Sequence, residues 1–121
     1  MPYVPRLRRW EDRCEDRKHE LDAEVQRLNA FFATQPDIAA VYVFGSYANG
    51  RVGPASDLDL LVVTTDEASK GDRETGLRSE AHFRVRVDLV LVTLHEYHER
   101  LGQTSFGRTL LDTAVPLYGA A

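Results

Sequence analysis

The sequence has a single cysteine, Cys14, and no apolar run that approaches the length of a membrane span. One cysteine excludes an internal disulfide and a multi-cysteine metal site, and this suits a reducing compartment. A helix that crosses a bilayer needs about 20 consecutive apolar residues. The N-terminus carries three arginines with no apolar segment behind them, so it does not resemble a signal peptide. We therefore expect a cytoplasmic protein with no membrane contact.

A basic excess is missing as well. The chain has 15 Lys and Arg against 19 Asp and Glu, which gives a formal net charge of −4. Nucleic-acid-binding proteins usually carry a basic face, so a polynucleotide partner is not expected. The acidic balance does not exclude a ligand such as MgATP, because Mg²⁺ already neutralises part of the charge on its phosphates. With 121 residues, the chain predicts one domain over residues 1–121.

Hydrophobic periodicity predicts how that domain is built. After an irregular lead-in over residues 1–9, we expect a helix over about 10–34, a core over about 38–92 and helices over about 94–114. The first helix is indicated by apolar residues at steps of threes and fours, which draw one stripe. The members of that stripe are Trp10, Cys14, Leu21, Val25, Leu28 and Phe32.

Within the core, alternating and apolar runs predict three strands, over residues 38–44, 57–64 and 83–92. Ser46 is the expected cap of a short helix over residues 47–50, and Thr93 the cap of the helix that follows the third strand. Other segments are expected to be less regular. These are a mobile connection over residues 65–76, a weak helix over 78–82 and a tail over 116–118.

Two carboxylates stand at the head of the second predicted strand, just after a Gly45-Ser46 turn and its loop. Side chains alternate along a strand, so Asp57 and Asp59 point the same way, about 7 Å apart. Buried carboxylates are costly unless they are paired or bound to a metal. Paired oxygen donors of this kind suit a hard divalent cation such as Mg²⁺.

A third carboxylate, Asp88, lies in the third predicted strand. If the strands are neighbours, the three acids can converge, and their repulsion would then raise the pKa of at least one of them. With two Mg²⁺ ions, such a site fits in-line displacement at phosphorus. A structural role for Asp88, paired with Arg84 or Arg86 on the same strand face, is the competing interpretation.

These residues carry a family resemblance. GSYANG (residues 45–50), ten intervening residues between Gly45-Ser46 and Asp57, SDLDL (residues 56–60) and VDLV around Asp88 resemble the signature of the DNA polymerase β-type nucleotidyltransferase superfamily. Within it, the spacing resembles that of the minimal nucleotidyltransferases, the MNT proteins. The resemblance covers about residues 38–92. It implies an α+β fold with a short mixed sheet flanked by helices, and transfer of a nucleoside monophosphate to a hydroxyl.

The resemblance also implies roles for individual residues. Asp57 and Asp59 would ligate two Mg²⁺ ions, Asp88 would serve the nucleophile's metal, and ATP would be the substrate. Gly45 and Ser46 would hold its phosphates, for which the turn offers backbone N–H groups and a hydroxyl.

The position after Gly45-Ser46 is where this sequence departs from the family. Family members often have an arginine there, whereas this chain has Tyr47. A phosphate contact from that position is therefore not expected, and Arg51 is the candidate replacement.

MNT proteins are typically the antitoxins of HEPN toxins, and the better-understood ones adenylylate a tyrosine of the toxin. The resemblance thus implies a HEPN-type toxin as partner, with the acceptor or half of the site supplied by that partner or by a second subunit. Two alternatives remain open. One is a nucleotidyltransferase acting on a small molecule such as an aminoglycoside, and the other is a non-catalytic antitoxin that acts by docking.

Overall fold

Five helices and four strands make up the computed structural model, which describes residues 6–66 and 70–119, with side chains from residue 9 onward. The helices are α1 (Arg6–Ala33), α2 (Gly45–Ala48), α3 (Lys70–Ala81), α4 (Leu94–Glu99) and α5 (Ser105–Thr113). The strands are β1 (Ile38–Phe44), β2 (Leu58–Thr64), β3 (Val87–Thr93) and β4 (Val115–Gly119). A 3-10 turn over Leu101–Gln103 joins α4 to α5.

The strands form one mixed sheet in the order β3-β2-β1-β4. β1 is antiparallel to both β2 and β4, whereas β2 and β3 are parallel. A parallel pair needs a crossover connection, and α3 lies in that connection. The expectation of an α+β fold with a short mixed sheet flanked by helices is confirmed.

Each face of the sheet has its own apolar cluster. Alternate β2 residues Leu58, Leu60 and Val62 pack with buried residues of α1 and α3, on what we call the α1 face. The intervening residues Leu61 and Val63 pack with Leu110 of α5 and partly buried residues of α4, on the α5 face. Side chains alternate along a strand, so Asp59 is directed to the α5 face.

The apolar stripe of α1 is only half buried. Leu21, Leu28 and Phe32 are fully buried as predicted, but Trp10 is 47% exposed and Cys14 is partly exposed. Twenty-eight helical residues span about 42 Å, against about 23 Å for a seven-residue strand, so the N-terminal half of α1 outruns the sheet. The packing role predicted for Trp10 is therefore wrong.

The start of α1 corrects a second prediction. The helix begins at Arg6, so residues 6–9 are not an irregular lead-in, while residues 1–5 lie outside the described residues. Although α1 is long, neither it nor another helix of the described segments is apolar enough to cross a membrane.

The sequence predicted helix α3 only in part and missed strand β4, because distant contacts hold both. The predicted weak helix over residues 78–82 is the C-terminal end of α3, which begins at Lys70, inside the segment predicted to be a mobile connection. Residues 67–69 lie outside the described part of the chain. Helix α3 buries only Leu77 and Ala81, too little for a periodic signal, but Arg73 binds the Asp37 carboxylate through two hydrogen bonds. The predicted C-terminal tail is strand β4, which pairs with β1 along the sheet edge.

The other boundaries are close to the predictions. The second and third strands begin at Leu58 and Val87, later than predicted. Thr93 caps α4 through a complete capping box with Glu96. Ser46 does not cap a helix, because α2 already begins at Gly45 and has no side-chain cap.

Helix α1 carries a buried charged side chain, Glu24, on the side that faces the rest of the domain. Glu24 is 3% exposed and accepts hydrogen bonds from the Arg27 guanidinium, the shorter at 2.6 Å, and from the Arg84 backbone N–H at 2.7 Å. Burial raises the pKa of Glu24, but the hydrogen bonds from Arg27 and Arg84 outweigh it, so the pKa lies below its usual value. Glu24 thereby ties α1 to the segment that leads into β3.

We expect Glu24→Gln to lower the free energy of unfolding by about 1–3 kcal/mol at pH 7, because hydrogen bonds to a charged group are lost in a buried place. A lowered pKa gives stability that is present above the unfolded pKa of about 4.3 and is lost as the pH falls through the folded pKa. The deficit should therefore shrink below about pH 4. Urea unfolding at pH 7 and below pH 4 measures this deficit in the free energy of unfolding. The exposed Glu15→Gln on α1 is the control. An equal deficit at both pH values would exclude the charge as its cause.

Candidate active site

Three acidic residues lie at the same end of the sheet. Asp57 directly precedes β2, Asp59 is the second residue of β2, and Asp88 is the second residue of β3. The parallel register pairs Asp59 with Asp88, and neighbouring strands lie about 4.8 Å apart. Asp59 is partly buried and Asp88 is exposed. The structure thus brings together residues that the sequence separates by a whole crossover.

The electrostatics of Asp59 reflect these neighbours. Burial raises the pKa of Asp59, and the charge of Asp88, a side-chain hydrogen bond with it, and the charge of Asp57 all act in the same direction. Like charges at close range disfavour ionisation. This end of the sheet is therefore short of positive charge.

Gly45 holds the Gly-Ser turn against Asp59. Its φ is +74°, and a Cβ atom placed on it would lie 2.0 Å from the Oδ2 atom of Asp59. Only glycine adopts this conformation freely and leaves room for the carboxylate. The GSYANG and SDLDL motifs are therefore in direct contact, and a side chain at residue 45 would disturb the carboxylate of Asp59.

Arg86 forms an ion pair with one of these acids. Its Nε atom lies 3.7 Å from Oδ2 of Asp57, and its side chain is 80% exposed. The competing interpretation of Asp88, a structural ion pair with Arg84 or Arg86, is not supported. Arg86 pairs with Asp57, and Arg84 contacts Glu24 through its backbone. Exposed pairs of this kind contribute little stability.

Ser46 and Arg51, the other two residues predicted to hold phosphate, lie in different places. Ser46 follows Gly45 at the start of α2, beside the acids. Tyr47 turns to the α1 face, where its hydroxyl donates to Asp22, and burial, followed by that hydrogen bond, raises the pKa of Tyr47 to about 12. Arg51 lines an open groove of about 610 Å³ beside the N-terminal half of α1. The three acids are not part of that groove.

The sequence interpretation missed an aromatic pair beside the acids. Phe44 lies directly opposite Asp59 in the β1–β2 register, and its ring centroid is 6.5 Å from that of Phe106, with the ring planes at 86°. Phe106, the second residue of α5, is 60% exposed. The position of Phe44, just before the Gly45-Ser46 turn, could have indicated from the sequence that its ring lies near the acids. The position of Phe106 depends on how α5 packs against the sheet, which the sequence does not indicate.

One solved structure shares this fold, and two others show a weaker likeness. A crystal structure of a protein from Sulfolobus solfataricus described as a nucleotidyltransferase aligns with a TM-score of 0.58 and 21% identity, over 86% of this chain and 85% of its own. Two toxin-antitoxin crystal structures, one of an MntA-HpeT mutant and one with AMP-PNP, both have TM-scores of 0.44, with 18% and 20% identity. Each covers 85% of this chain and 73% of its own.

No protein of curated function matches the sequence. The family described as "Polymerase beta, Nucleotidyltransferase" matches residues 26–110. That match includes β1 to β3, both motifs and nearly all of the α5 face. The chain therefore belongs to the polymerase β nucleotidyltransferase family.

Proposed function

We propose that this protein transfers AMP from ATP to a hydroxyl group, with Asp57, Asp59 and Asp88 as the catalytic residues. The observation that carries the proposal is the contact of Gly45 with Asp59, itself paired in register with Asp88. This contact places a turn suited to phosphate beside acids suited to a metal-bound phosphate. Gly45 and Ser46 would hold the triphosphate, and the acids would lie next to its α-phosphate.

The acids fit Mg²⁺ by their chemistry. All three offer carboxylate oxygens, the donors that Mg²⁺ prefers, and the raised pKa of Asp59 would be relieved by a cation. In residues 9–66 and 70–119, no three His, Cys, Asp or Glu side chains are gathered closely enough to hold one ion, so the three acids would have to draw closer around a bound cation. Bound there, Mg²⁺ would lower the pKa of the acceptor hydroxyl and neutralise the leaving pyrophosphate.

Arg51 has a weaker place in this proposal than Ser46. Its groove adjoins the loop between α2 and β2, so a contact with the terminal phosphate would need this exposed side chain to swing out of the groove. Arg86, which is exposed and already beside Asp57, is the better-placed cation. It would leave Asp57 when a metal ion binds there and meet the phosphates instead.

The acceptor proposed for this site is a tyrosine of a partner protein, a HEPN-type toxin. The motif spacing of the MNT proteins supports it, and so does the openness of the site. Asp88 is exposed and lies on β3, an edge strand, so a hydroxyl carried by another protein can approach from that side. The protein would then act as an antitoxin by adenylylating its toxin.

The experiment is transfer of label from ATP that carries ³²P in its α-phosphate, in the presence of Mg²⁺, to the product of the adjacent gene. An Asp57→Ala/Asp59→Ala double variant is the control. Label on the partner that is lost with the double variant is the expected result. Co-purification without label would favour neutralisation by docking. If the proteins neither react nor associate, the toxin partner is excluded, and an aminoglycoside becomes the next acceptor to test.

A further inference from the structure

We propose that the exposed ring of Phe106, backed by Phe44, is the stacking platform for the nucleobase of the bound nucleotide. This rests on the proposed function, because a base can reach Phe106 only if its phosphates lie at the acids. The proposal starts from a surface that the mechanism leaves unused. It is a pair of aromatic rings at the edge of the carboxylate site, of which one remains largely in solvent.

The position of the rings fits one nucleotide. Phe44 and Asp59 are register partners on antiparallel strands, so their side chains stand on the same face with Cβ atoms about 4.5–5.5 Å apart. The centroid of the Phe106 ring lies 6.5 Å from that of the Phe44 ring. A nucleotide whose α-phosphate meets the acids can cover this interval with its ribose and bring its base to Phe106.

The ring geometry leaves Phe106 able to stack. The two rings meet at 86°, edge to face, so one of them contributes an edge and the other a single face. In either arrangement Phe106 keeps at least one face that Phe44 does not cover, consistent with its 60% exposure. A planar base is the ligand that such a face recognises, since every base has a π-face.

The helix that carries Phe106 is firmly seated. Thr104 caps α5 by accepting a hydrogen bond from the Gly107 N–H at 2.9 Å, and Leu110, one turn later, is buried. A Cβ atom on Gly107 would lie 1.7 Å from the Leu101 carbonyl oxygen, so α5 approaches the 3-10 turn as closely as glycine allows. The backbone that carries Phe106 is thus held in place before any ligand arrives, which reduces the entropy lost on binding.

A stacking platform predicts a definite kind of selectivity. Phe106 offers no hydrogen bond to a base edge, so it does not distinguish adenine from guanine. Purines present more ring surface than pyrimidines, so ATP and GTP should bind more tightly than CTP and UTP. Loss of base–aromatic stacking typically weakens binding roughly 5- to 100-fold.

The test is calorimetric titration with Mg²⁺ and two probes, the ATP analogue AMP-PNP and inorganic tripolyphosphate, which lacks a base. We expect Phe106→Ala to weaken AMP-PNP binding roughly 5- to 100-fold and to leave tripolyphosphate binding unchanged. Phe106→Tyr should stay close to wild type. Leu111→Ala removes another exposed apolar side chain of α5 and should bind both probes normally. In Phe106→Ala, the preference for purine over pyrimidine triphosphates should largely disappear.

Each opposing result has its own meaning. If Phe106→Ala binds AMP-PNP like wild type, the platform is wrong while the nucleotide site stands. If it loses both probes equally, Phe106 supports the phosphate site instead of the base, and the platform is again wrong. If the wild-type protein binds neither probe, the proposed function fails and the platform fails with it. Circular dichroism melting of each variant separates these outcomes from unfolding.

Discussion

Asp59→Asn is expected to lower AMP transfer at least about a hundredfold while making the folded protein more stable. In metal sites, loss of a group that merely orients a ligand already costs about 10- to 100-fold, and Asp59 is proposed as a ligand itself. Asparagine has nearly the same shape, and its amide can donate to Asp88. The loss of activity would therefore come from the missing charge, with the side-chain packing preserved.

The stability should change in the opposite direction because of the raised pKa of Asp59. A carboxyl whose pKa is raised by folding contributes stability below its unfolded pKa and loses it as the pH rises through the folded value. At neutral pH the carboxyl group of Asp59 therefore opposes folding, because its ionised form is disfavoured in the folded protein. We expect a melting temperature a few degrees higher in the variant, since about 1 kcal/mol corresponds to roughly 3–6 °C in a domain of this size.

Thermal melts without Mg²⁺ at pH 7 and at pH 3, alongside the label-transfer assay, measure both effects. The gain in melting temperature should be present at pH 7 and should shrink at pH 3, where Asp59 itself becomes protonated. Asp16→Asn, at an exposed position on α1, is the matched control and should change neither quantity. A variant that transfers AMP normally would remove Asp59 from the mechanism, and one that melts lower would contradict the repulsion.

Gly45→Ala is expected to damage both activity and stability. An alanine with φ near +74° costs about 1–2 kcal/mol from backbone strain alone. Its Cβ atom would also collide with Oδ2 of Asp59 at 2.0 Å, so the carboxylate must rotate or the turn must move. Misplacement of a reacting group by about 1 Å can cost about a hundredfold in rate, and we expect a loss of that order in AMP transfer.

Gly50→Ala provides a control that separates strain from collision. Gly50 also has a positive φ, +71°, but a Cβ atom there would meet nothing within 4 Å. It should lose a similar amount of stability from strain and keep most of its transfer activity. Urea unfolding and label transfer on both variants make the comparison. Equal losses of activity in the two would show that the contact with Asp59 is not what matters at residue 45.

Local chemistry made much of the fold predictable. The strand before Gly45 and the strand after Asp57 follow from apolar runs bounded by turn residues, and the capping box at Thr93 needs only residues 93–96. The N-terminal part of α3 and the whole of β4 had no such signal. α3 is held by the Arg73–Asp37 ion pair, and β4 by its pairing with β1. Both interactions join residues far apart in the chain.

The same division applies to the candidate site. Sequence spacing indicated Asp57, Asp59 and the Gly45-Ser46 turn, because one hairpin contains them all. It could not show that the Gly45 backbone touches the Asp59 carboxylate, nor that Arg86 faces Asp57. The contact of Phe106 with Phe44 could not be predicted, because it depends on how α5 packs against the sheet.

The mixed pairing of the sheet also dictates the order in which the site can be completed during folding. The contact between Gly45 and Asp59 belongs to the antiparallel β1–β2 hairpin, which closes a short loop. Asp88 joins only when the parallel β2–β3 pair forms, and this requires the crossover through α3. Long-range parallel pairing is intrinsically slow. A chain in which only the hairpin has formed would therefore present half of the site without its third acid, so that the complete set of acids requires the β2–β3 pairing as well.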